Sequence, residues 1–113
     1  MRIPTHRKPT HPGEMLLEEF LLPMEISQDN LAIAIRVPYP IINDMINQKR
    51  DITPSIALRL AKFFAVSEDF WINLQLRWDL YHAKKSEEVD LQLIKPFQFQ
   101  KLPDIHSVVH RQI

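Results

Sequence analysis

The chain has 113 residues, of which 45% are hydrophobic and 25% are charged, and its 14 Lys and Arg residues balance 14 Asp and Glu residues. This length supports one compact domain, and a sequence without cysteine excludes both disulfide bonds and thiolate metal sites. A single glycine argues against a glycine-rich phosphate loop, and against a β-sandwich or barrel that depends on many tight turns.

The first segment, residues 1–11, contains Arg2, Arg7 and Lys8 without an acidic residue, and we expect it to form a flexible basic arm. Residues 12–31 reverse the charge, since they contain acidic residues but neither Lys nor Arg. Their first apolar residues are spaced as on one face of an amphipathic helix, namely Leu16, Leu17, Phe20 and Leu21. We expect Pro23 to end this first helix, because proline cannot donate the hydrogen bond that would continue it.

Two short helices are predicted next. Ser27 is a good N-cap for the second helix, and the inner face of that helix consists of Leu31, Ala32 and Ile35. In the third helix Tyr39 lies at the boundary, because a residue before proline avoids the helical region, and Pro40 fits the first turn. Its inner face consists of Ile42, Met45 and Ile46. The two helices are separated only by residues 36–38, which is the spacing of a helix-turn-helix, although many helical bundles contain a similar corner.

Two longer helices complete the predicted domain. Thr53 followed by Pro54 is a strong start signal for the fourth helix. Its buried face is expected to consist of Ala57, Leu60, Ala61 and Phe64. Ser67 is the expected cap of the fifth helix, with Glu68 and Asp69 in the first turn, where the helix dipole favours acidic groups. Phe70, Leu74, Trp78 and Tyr81 lie at helical spacing on this helix. We interpret its aromatic residues as core or dimer interface and not as a ligand cage, namely Phe70, Trp71, Trp78 and Tyr81.

The remaining residues, 87–113, form an extension beyond the predicted helical domain of residues 12–86. Apolar and polar residues alternate over 89–94 and 97–100, and this two-residue period predicts short strands. His106 and His110 have the spacing of two metal ligands on one helix face, but no third ligand accompanies them, so we expect an exposed tail without a metal. No nucleophile has a recognisable base beside it, and we expect neither an enzyme nor a bound cofactor.

Five segments carry a family resemblance: HPGEMLLEEFLLP, ISQDNLA, INDMINQKRDIT, ALRLAKFF and DFWINLQLRWDL. Together they resemble the HigA/VapI branch of the lambda-repressor-like antitoxins, nearly collinearly over residues 11–82. The resemblance implies an all-α, five-helix lambda-repressor-like DNA-binding domain, and a homodimer that binds its own double-stranded operator DNA through the third helix. It also implies a second partner, a toxin ribonuclease of the HigB type, which the antitoxin neutralises in a type II toxin–antitoxin module.

The expected location is the cytoplasm. No stretch approaches the ~18 apolar residues that a membrane span requires, and the N-terminus lacks the apolar core of a signal peptide.

Three residues depart from glycines that are usual in the family: Arg36, Gln48 and Ala65. A left-handed conformation at Arg36 would cost about 1–2 kcal/mol, and a slightly longer second helix would avoid that cost. Asn47 tolerates the left-handed region, so we expect it to end the third helix one residue early. We expect the fold to tolerate all three changes.

The predicted DNA contacts are Gln28, Tyr39, Ile41, Asn43, Asn47, Lys49 and Arg50. Asparagine can pair with both hydrogen-bonding atoms of adenine, and Ile41 can touch a thymine methyl group, so these side chains suit base reading. Lys49 and Arg50 suit phosphate oxygens, whereas Asp44 would repel the DNA backbone. The alternative interpretation is a solvated helix face with ordinary surface charge.

Pro40 and Ile41 stand where the family commonly has a Ser-Arg pair, so two donors are missing from the leading end of the third helix. We expect weaker or A·T-leaning DNA binding. The rival hypothesis is a protein-interaction module of the same fold with weak or non-specific DNA binding. Two further alternatives stay open: the arm contacts phosphates or the minor groove, and the extension packs back, crosses to the other subunit or binds the toxin by strand addition.

Overall fold

The structure, a computed structural model, describes residues 8–98, and every regular element in that range is a helix. Helix α1 runs through three consecutive segments, Pro12–Met15, Leu16–Leu21 and Leu22–Met24, and it is followed by α2, Gln28–Ile35, and α3, Tyr39–Ile46. The remaining helices are α4, Pro54–Phe64, α5, Phe70–Ser86, and α6, Glu88–Leu93. The all-α prediction is therefore confirmed, and α1 to α5 correspond to the five predicted helices.

Side-chain caps begin α2 and α4 where the sequence predicts them. Ser27 Oγ accepts a hydrogen bond from the Asn30 N–H at 3.0 Å, and Thr53 Oγ1 accepts one from the Ile56 N–H at 3.3 Å. Each cap satisfies a backbone donor that has no partner within its own helix.

The start of α5 differs from the prediction. The helix begins at Phe70, and the Ser67 hydroxyl donates to Asp69 Oδ1 at 2.9 Å instead of accepting from a backbone N–H. The Phe70 N–H donates to the Ser67 carbonyl at 3.1 Å across the turn formed by Glu68 and Asp69. The two acidic residues therefore lie in the turn before the helix and do not form its first turn.

The prediction that Pro23 ends the first helix is wrong. The preceding segment, Leu16–Leu21, has π-helical geometry, and the Leu22 N–H donates to the Leu17 carbonyl five residues back. A π-helical turn already interrupts the α-helical hydrogen-bond ladder, so a residue without an N–H is tolerated directly after it. Glu25, in the left-handed region at φ 57°, ends the helix.

Three other helices also end at a non-glycine residue with positive φ. Arg36 follows α2 at φ 61°, Gln48 follows α3 at φ 60°, and Ala65 follows α4 at φ 57°. The alternative of a longer second helix is therefore wrong. So is the expectation that Asn47 takes the left-handed conformation, since its φ is −84°. Each left-handed residue costs about 1–2 kcal/mol relative to glycine, and tertiary contacts must offset that cost.

Helices α1, α2, α3, α4 and α5 all contribute side chains to the hydrophobic core. Its fully buried large side chains include Leu16, Leu31, Ile42, Met45, Leu60 and Trp71. The predicted inner faces of α2 and α3 are confirmed, whereas Phe64 on α4 is only partly buried. On α5 the predicted core residue Trp71 is buried, together with Gln75, whereas the other aromatic residues, Phe70, Trp78 and Tyr81, are half-buried. The reason is aromatic packing: the Trp71 ring lies 5.0 Å from the Phe20 ring of α1, which orients α5 around that contact.

The strand prediction for the extension is wrong over residues 89–93, which belong to α6, Glu88–Leu93. The alternating apolar residues Val89, Leu91 and Leu93 are all exposed, and no strand lies within residues 8–98 to pair with them. A helix satisfies its backbone groups locally, as the Leu91 N–H does by donating to the Glu87 carbonyl at 2.9 Å. Residues 94–98 have no regular structure, and residues 99–113, including the two histidines, lie outside the described range.

His11 begins α1 as a buried cap. It is 3% exposed, and its Nδ1 accepts a hydrogen bond from the Gly13 N–H at 2.9 Å. Its ring meets the Trp78 ring edge-on at 4.8 Å, and Lys8 Nζ lies 5.1 Å from the centroid of the same tryptophan. Burial lowers the pKa of His11 from its ordinary value of 6.5, although the charges of Asp51 and other acidic groups oppose the shift. The neutral ring is also the form whose Nδ1 can accept.

We therefore expect the free energy of unfolding to fall on acidification. His11 has a lower pKa in the folded state than in the unfolded state, so its contribution is complete above pH 6.5 and is lost as pH falls through the folded-state pKa. Urea unfolding at a series of pH values measures this dependence. His11→Asn keeps an N-capping oxygen but does not titrate, and should flatten the curve between pH 7 and 5. An unaltered slope in His11→Asn would contradict the assignment.

Candidate nucleic-acid interface

Helices α2 and α3 meet at a tight corner made by residues 36–38. The Val37 N–H donates to the Ala32 carbonyl at 3.0 Å, which closes the end of α2. Arg59, from α4, places its Nη1 2.9 Å from the Ile35 carbonyl and 3.3 Å from the Arg36 carbonyl. A cation at the C-terminal end of a helix is favourable, so Arg59 helps to offset the left-handed conformation at Arg36. Sequence analysis did not single out this residue, because its partners lie 24 and 23 positions away.

Four of the predicted contact residues form a hydrogen-bonded set, here called the amide network: Gln28, Tyr39, Asn43 and Asn47. Asn43 Nδ2 donates to Gln28 Oε1 at 3.0 Å and to Tyr39 Oη at 3.4 Å. Asn47 Nδ2 donates to Asn43 Oδ1 at 3.1 Å. Gln28 is the first residue of α2, so the network joins the start of one helix to the middle of the next. It brings together amide and hydroxyl groups, which can form hydrogen bonds with base edges.

Ile41 lies differently from the other candidates. It is half-buried and packs against the hydrophobic core, so only part of its side chain faces outward. The neighbouring Pro40 is exposed in the first turn of α3, as predicted, and Tyr39 beside it is 43% exposed. The leading end of α3 therefore presents a tyrosine and a proline, with the tyrosine hydroxyl as its polar group.

Lys49 and Arg50 follow α3 in an exposed segment. The Lys49 N–H donates to the Asp44 carbonyl at 2.8 Å, which turns the chain back along α3. Arg50 Nη2 lies 3.7 Å from Asp44 Oδ2, and these side chains are 45% and 42% exposed. Such an exposed pair contributes little to stability, but it places a positive charge beside the carboxylate that was expected to repel DNA.

Gln75 anchors the segment that carries these basic residues. Although it is only 5% exposed, its Oε1 accepts from the Ile52 N–H at 2.7 Å. Its Nε2 donates to Asp51 Oδ1 at 3.2 Å and to Asp79 Oδ1 at 3.0 Å. The side chain is thereby satisfied at both ends, and it fixes the end of the segment to α5. Sequence analysis missed this role, because a glutamine among apolar residues on α5 gives no signal of its distant partners.

Within residues 8–98 we find no group of three or more His, Cys, Asp or Glu side chains arranged to hold a metal ion. In the same range no helix has the length and hydropathy of a membrane span.

The geometry is that of a short helix packed against the preceding helix across a tight corner, with amide and basic side chains at its surface. This arrangement defines the class of helix-turn-helix proteins.

Known proteins of this class are similar to the chain. An uncharacterized HTH-type transcriptional regulator of Escherichia coli, YbaQ, is 40% identical over 80 residues, which cover 71% of each chain. Antitoxin HigA-1 of Vibrio cholerae is 34% identical over 92 residues, which cover 81% of this chain and 87% of the relative. No family model matches the sequence.

Solved structures of antitoxins have the same fold as this chain. The antitoxin HigA of Pseudomonas aeruginosa, solved with the higBA promoter, superposes with a TM-score of 0.75 at 37% identity, over 80% of this chain and 99% of that one. The antitoxin GraA in complex with its operator has a TM-score of 0.76 at 30% identity, over 86% of this chain and 99% of that one. The chain belongs to the HigA family of helix-turn-helix antitoxins and transcriptional regulators, and the family predicted from the sequence is confirmed. By name, these relatives are regulators and antitoxins and not enzymes.

Proposed function

We propose that this protein is a cytoplasmic, non-enzymatic antitoxin that represses its own operon by binding operator DNA as a homodimer through α3. The observation that carries the proposal is the amide network on α2 and α3, which the basic residues Lys49 and Arg50 follow directly. Two relatives of the same fold were solved with promoter or operator DNA. The protein blocks the promoter by occupying it.

The contacts divide into two kinds. Gln28, Tyr39, Asn43 and Asn47 supply the groups that distinguish bases, while Lys49 and Arg50 hold phosphates and set the register of α3. Ile41 adds an apolar contact with the part of its side chain that is exposed. This division of roles predicts sequence preference from the first group and salt dependence from the second.

The homodimer is supported by apolar side chains on the last two helices. The residues concerned are Leu76, Leu80, Val89, Leu91 and Leu93, which are between 46% and 72% exposed. Leu76 and Leu80 are one helical turn apart on α5, so they share a face that a second copy of the chain can cover. Two copies present two α3 helices, as a two-fold symmetric operator requires.

Neutralisation of a HigB-type toxin ribonuclease is the second part of the proposal. It is supported by the antitoxin names of the relatives from Vibrio cholerae and Pseudomonas aeruginosa. We assign DNA binding to the domain of residues 12–86, which includes α1 to α5. The DNA surface uses α2 and α3, so the exposed side chains of α1 and α6 are available to a protein partner.

Fluorescence anisotropy with duplex DNA from upstream of the gene tests the proposal, with a shuffled duplex as competitor and a salt series for each. We expect a preference for the native duplex on the order of a thousandfold, with two chains bound per site. Equal and steeply salt-dependent binding to both duplexes would contradict operator recognition. The rival function, a protein-interaction module that holds DNA only by its phosphates, would then account for the fold.

A further inference from the structure

The hydrogen atoms of the Asn43 amide are all used within the amide network. Nδ2 carries two hydrogens, and it donates at 3.0 Å to Gln28 Oε1 and at 3.4 Å to Tyr39 Oη. On the other side of the amide, Oδ1 accepts at 3.1 Å from Asn47 Nδ2 and keeps a second lone pair. The remaining hydrogen-bonding capacity of Asn43 is therefore that of an acceptor.

Tyr39 has the opposite capacity. Its oxygen accepts from Asn43, so its own O–H remains available as a donor. The side chain is 43% exposed and belongs to the first turn of α3, which is the leading end of the helix. The network thus leaves an acceptor on half-buried Asn43 and a donor on exposed Tyr39, one helical turn apart.

On the basis of the proposed operator binding, we propose that the amide network sets the polarity of base reading. Asn43 accepts from an exocyclic base amine, and the Tyr39 hydroxyl donates to a nearby base acceptor. In the major groove the amines are adenine N6 and cytosine N4, and the acceptors are purine N7, guanine O6 and thymine O4. Tyr39 is thereby a specificity-determining residue, and the bidentate asparagine–adenine pair is excluded, because it requires an Asn43 N–H for adenine N7.

The donor role is tested by Tyr39→Phe, which removes only the hydroxyl. In the anisotropy assay we expect binding to the native duplex to weaken about three- to tenfold, with no change on the shuffled duplex. Ser67→Ala, which removes a hydroxyl from the exposed turn before α5, is the control and should bind both duplexes normally. An equal loss on both duplexes would place the hydroxyl on a phosphate and overturn the proposal, as would an unchanged affinity for the native duplex.

The exclusion of the bidentate asparagine–adenine pair is tested with 7-deazaadenine, which lacks N7 but keeps the N6 amine. It replaces the adenines of the native duplex one at a time. At each adenine we expect the removal of N7 to reduce the affinity of the wild-type protein and of Asn43→Ala by the same factor. The variant should bind every duplex more weakly than the wild type. An adenine whose N7 penalty disappears only in Asn43→Ala would show a bidentate contact and overturn the proposal. The wild-type preference for the native duplex separates two kinds of failure. If that preference is absent, the proposed operator binding itself fails. If it is present and either test above gives the opposite result, only the proposed polarity of base reading fails.

Discussion

Replacing Gly13 with alanine should lower the free energy of unfolding by about 3 kcal/mol or more, the upper end of the cost of overpacking a core. A Cβ at this position would lie 2.7 Å from the Met45 carbonyl carbon and nearer still to its oxygen. These are backbone atoms of α3, which cannot rotate aside as the end of a flexible side chain would. The added carbon must therefore push α1 and α3 apart.

Urea unfolding followed by circular dichroism measures the effect. Ala34→Ser, which also adds one heavy atom but at an exposed position of α2, should stay within about 0.5 kcal/mol of the wild type. If Gly13→Ala unfolds at the same urea concentration as the wild type, the close approach of α1 to α3 is contradicted. Because Met45 belongs to α3, a folded Gly13→Ala variant should also bind operator DNA less well.

Replacing Lys49 and Arg50 together with alanine should weaken binding to native and shuffled duplexes alike. The slope of log affinity against log salt should fall by about 0.9 for each phosphate that the variant no longer neutralises, so by about 1.8 for the pair. We expect Lys49 to contribute more than Arg50, since the Arg50 guanidinium is partly neutralised by Asp44 at 3.7 Å.

Anisotropy across a salt series measures the slope. The matched control is Lys84→Ala with Lys85→Ala, which removes the same charge from the last turn of α5. An unchanged slope in the Lys49 and Arg50 variant would show that these residues do not bind phosphates, and an equal drop in the control would attribute the effect to net charge alone.

The parts of the fold that the sequence predicted correctly depend on local signals. Ser27 and Thr53 cap their helices through backbone groups three residues away, and Pro40 fits the first turn of α3 through its own ring geometry. The inner faces of α2 and α3 follow from helical spacing alone. Each of these signals acts within about one helical turn, where the chain itself sets the distances.

In three of the predictions that failed, a local signal competed with another interaction. Pro23 signals a helix end, but the π-helical turn before it accommodates the missing donor. Ser67 signals a cap, but its hydroxyl donates to Asp69 Oδ1 and the helix begins only at Phe70. The alternation over residues 89–94 signals a strand, but a strand needs a partner for its backbone hydrogen bonds, and a helix does not. In each case the conformation that forms depends on contacts with other groups, and the spacing of apolar residues in the sequence carries no information about these contacts.

By itself, the sequence determined the class of fold, the helix-turn-helix spacing, the family and the set of side chains proposed to bind DNA. Only the tertiary structure decided how the polar groups are shared among them. Asn43 bonds Gln28 across 15 positions, Gln75 bonds Ile52 across 23, and Arg59 bonds Ile35 across 24. A hydrogen bond forms only within about 3.5 Å, and helix packing alone brings such distant residues that close. The sequence therefore predicted which residues are candidates for DNA binding, and the packing of α2 against α3 decided which of their donors and acceptors remain unpaired.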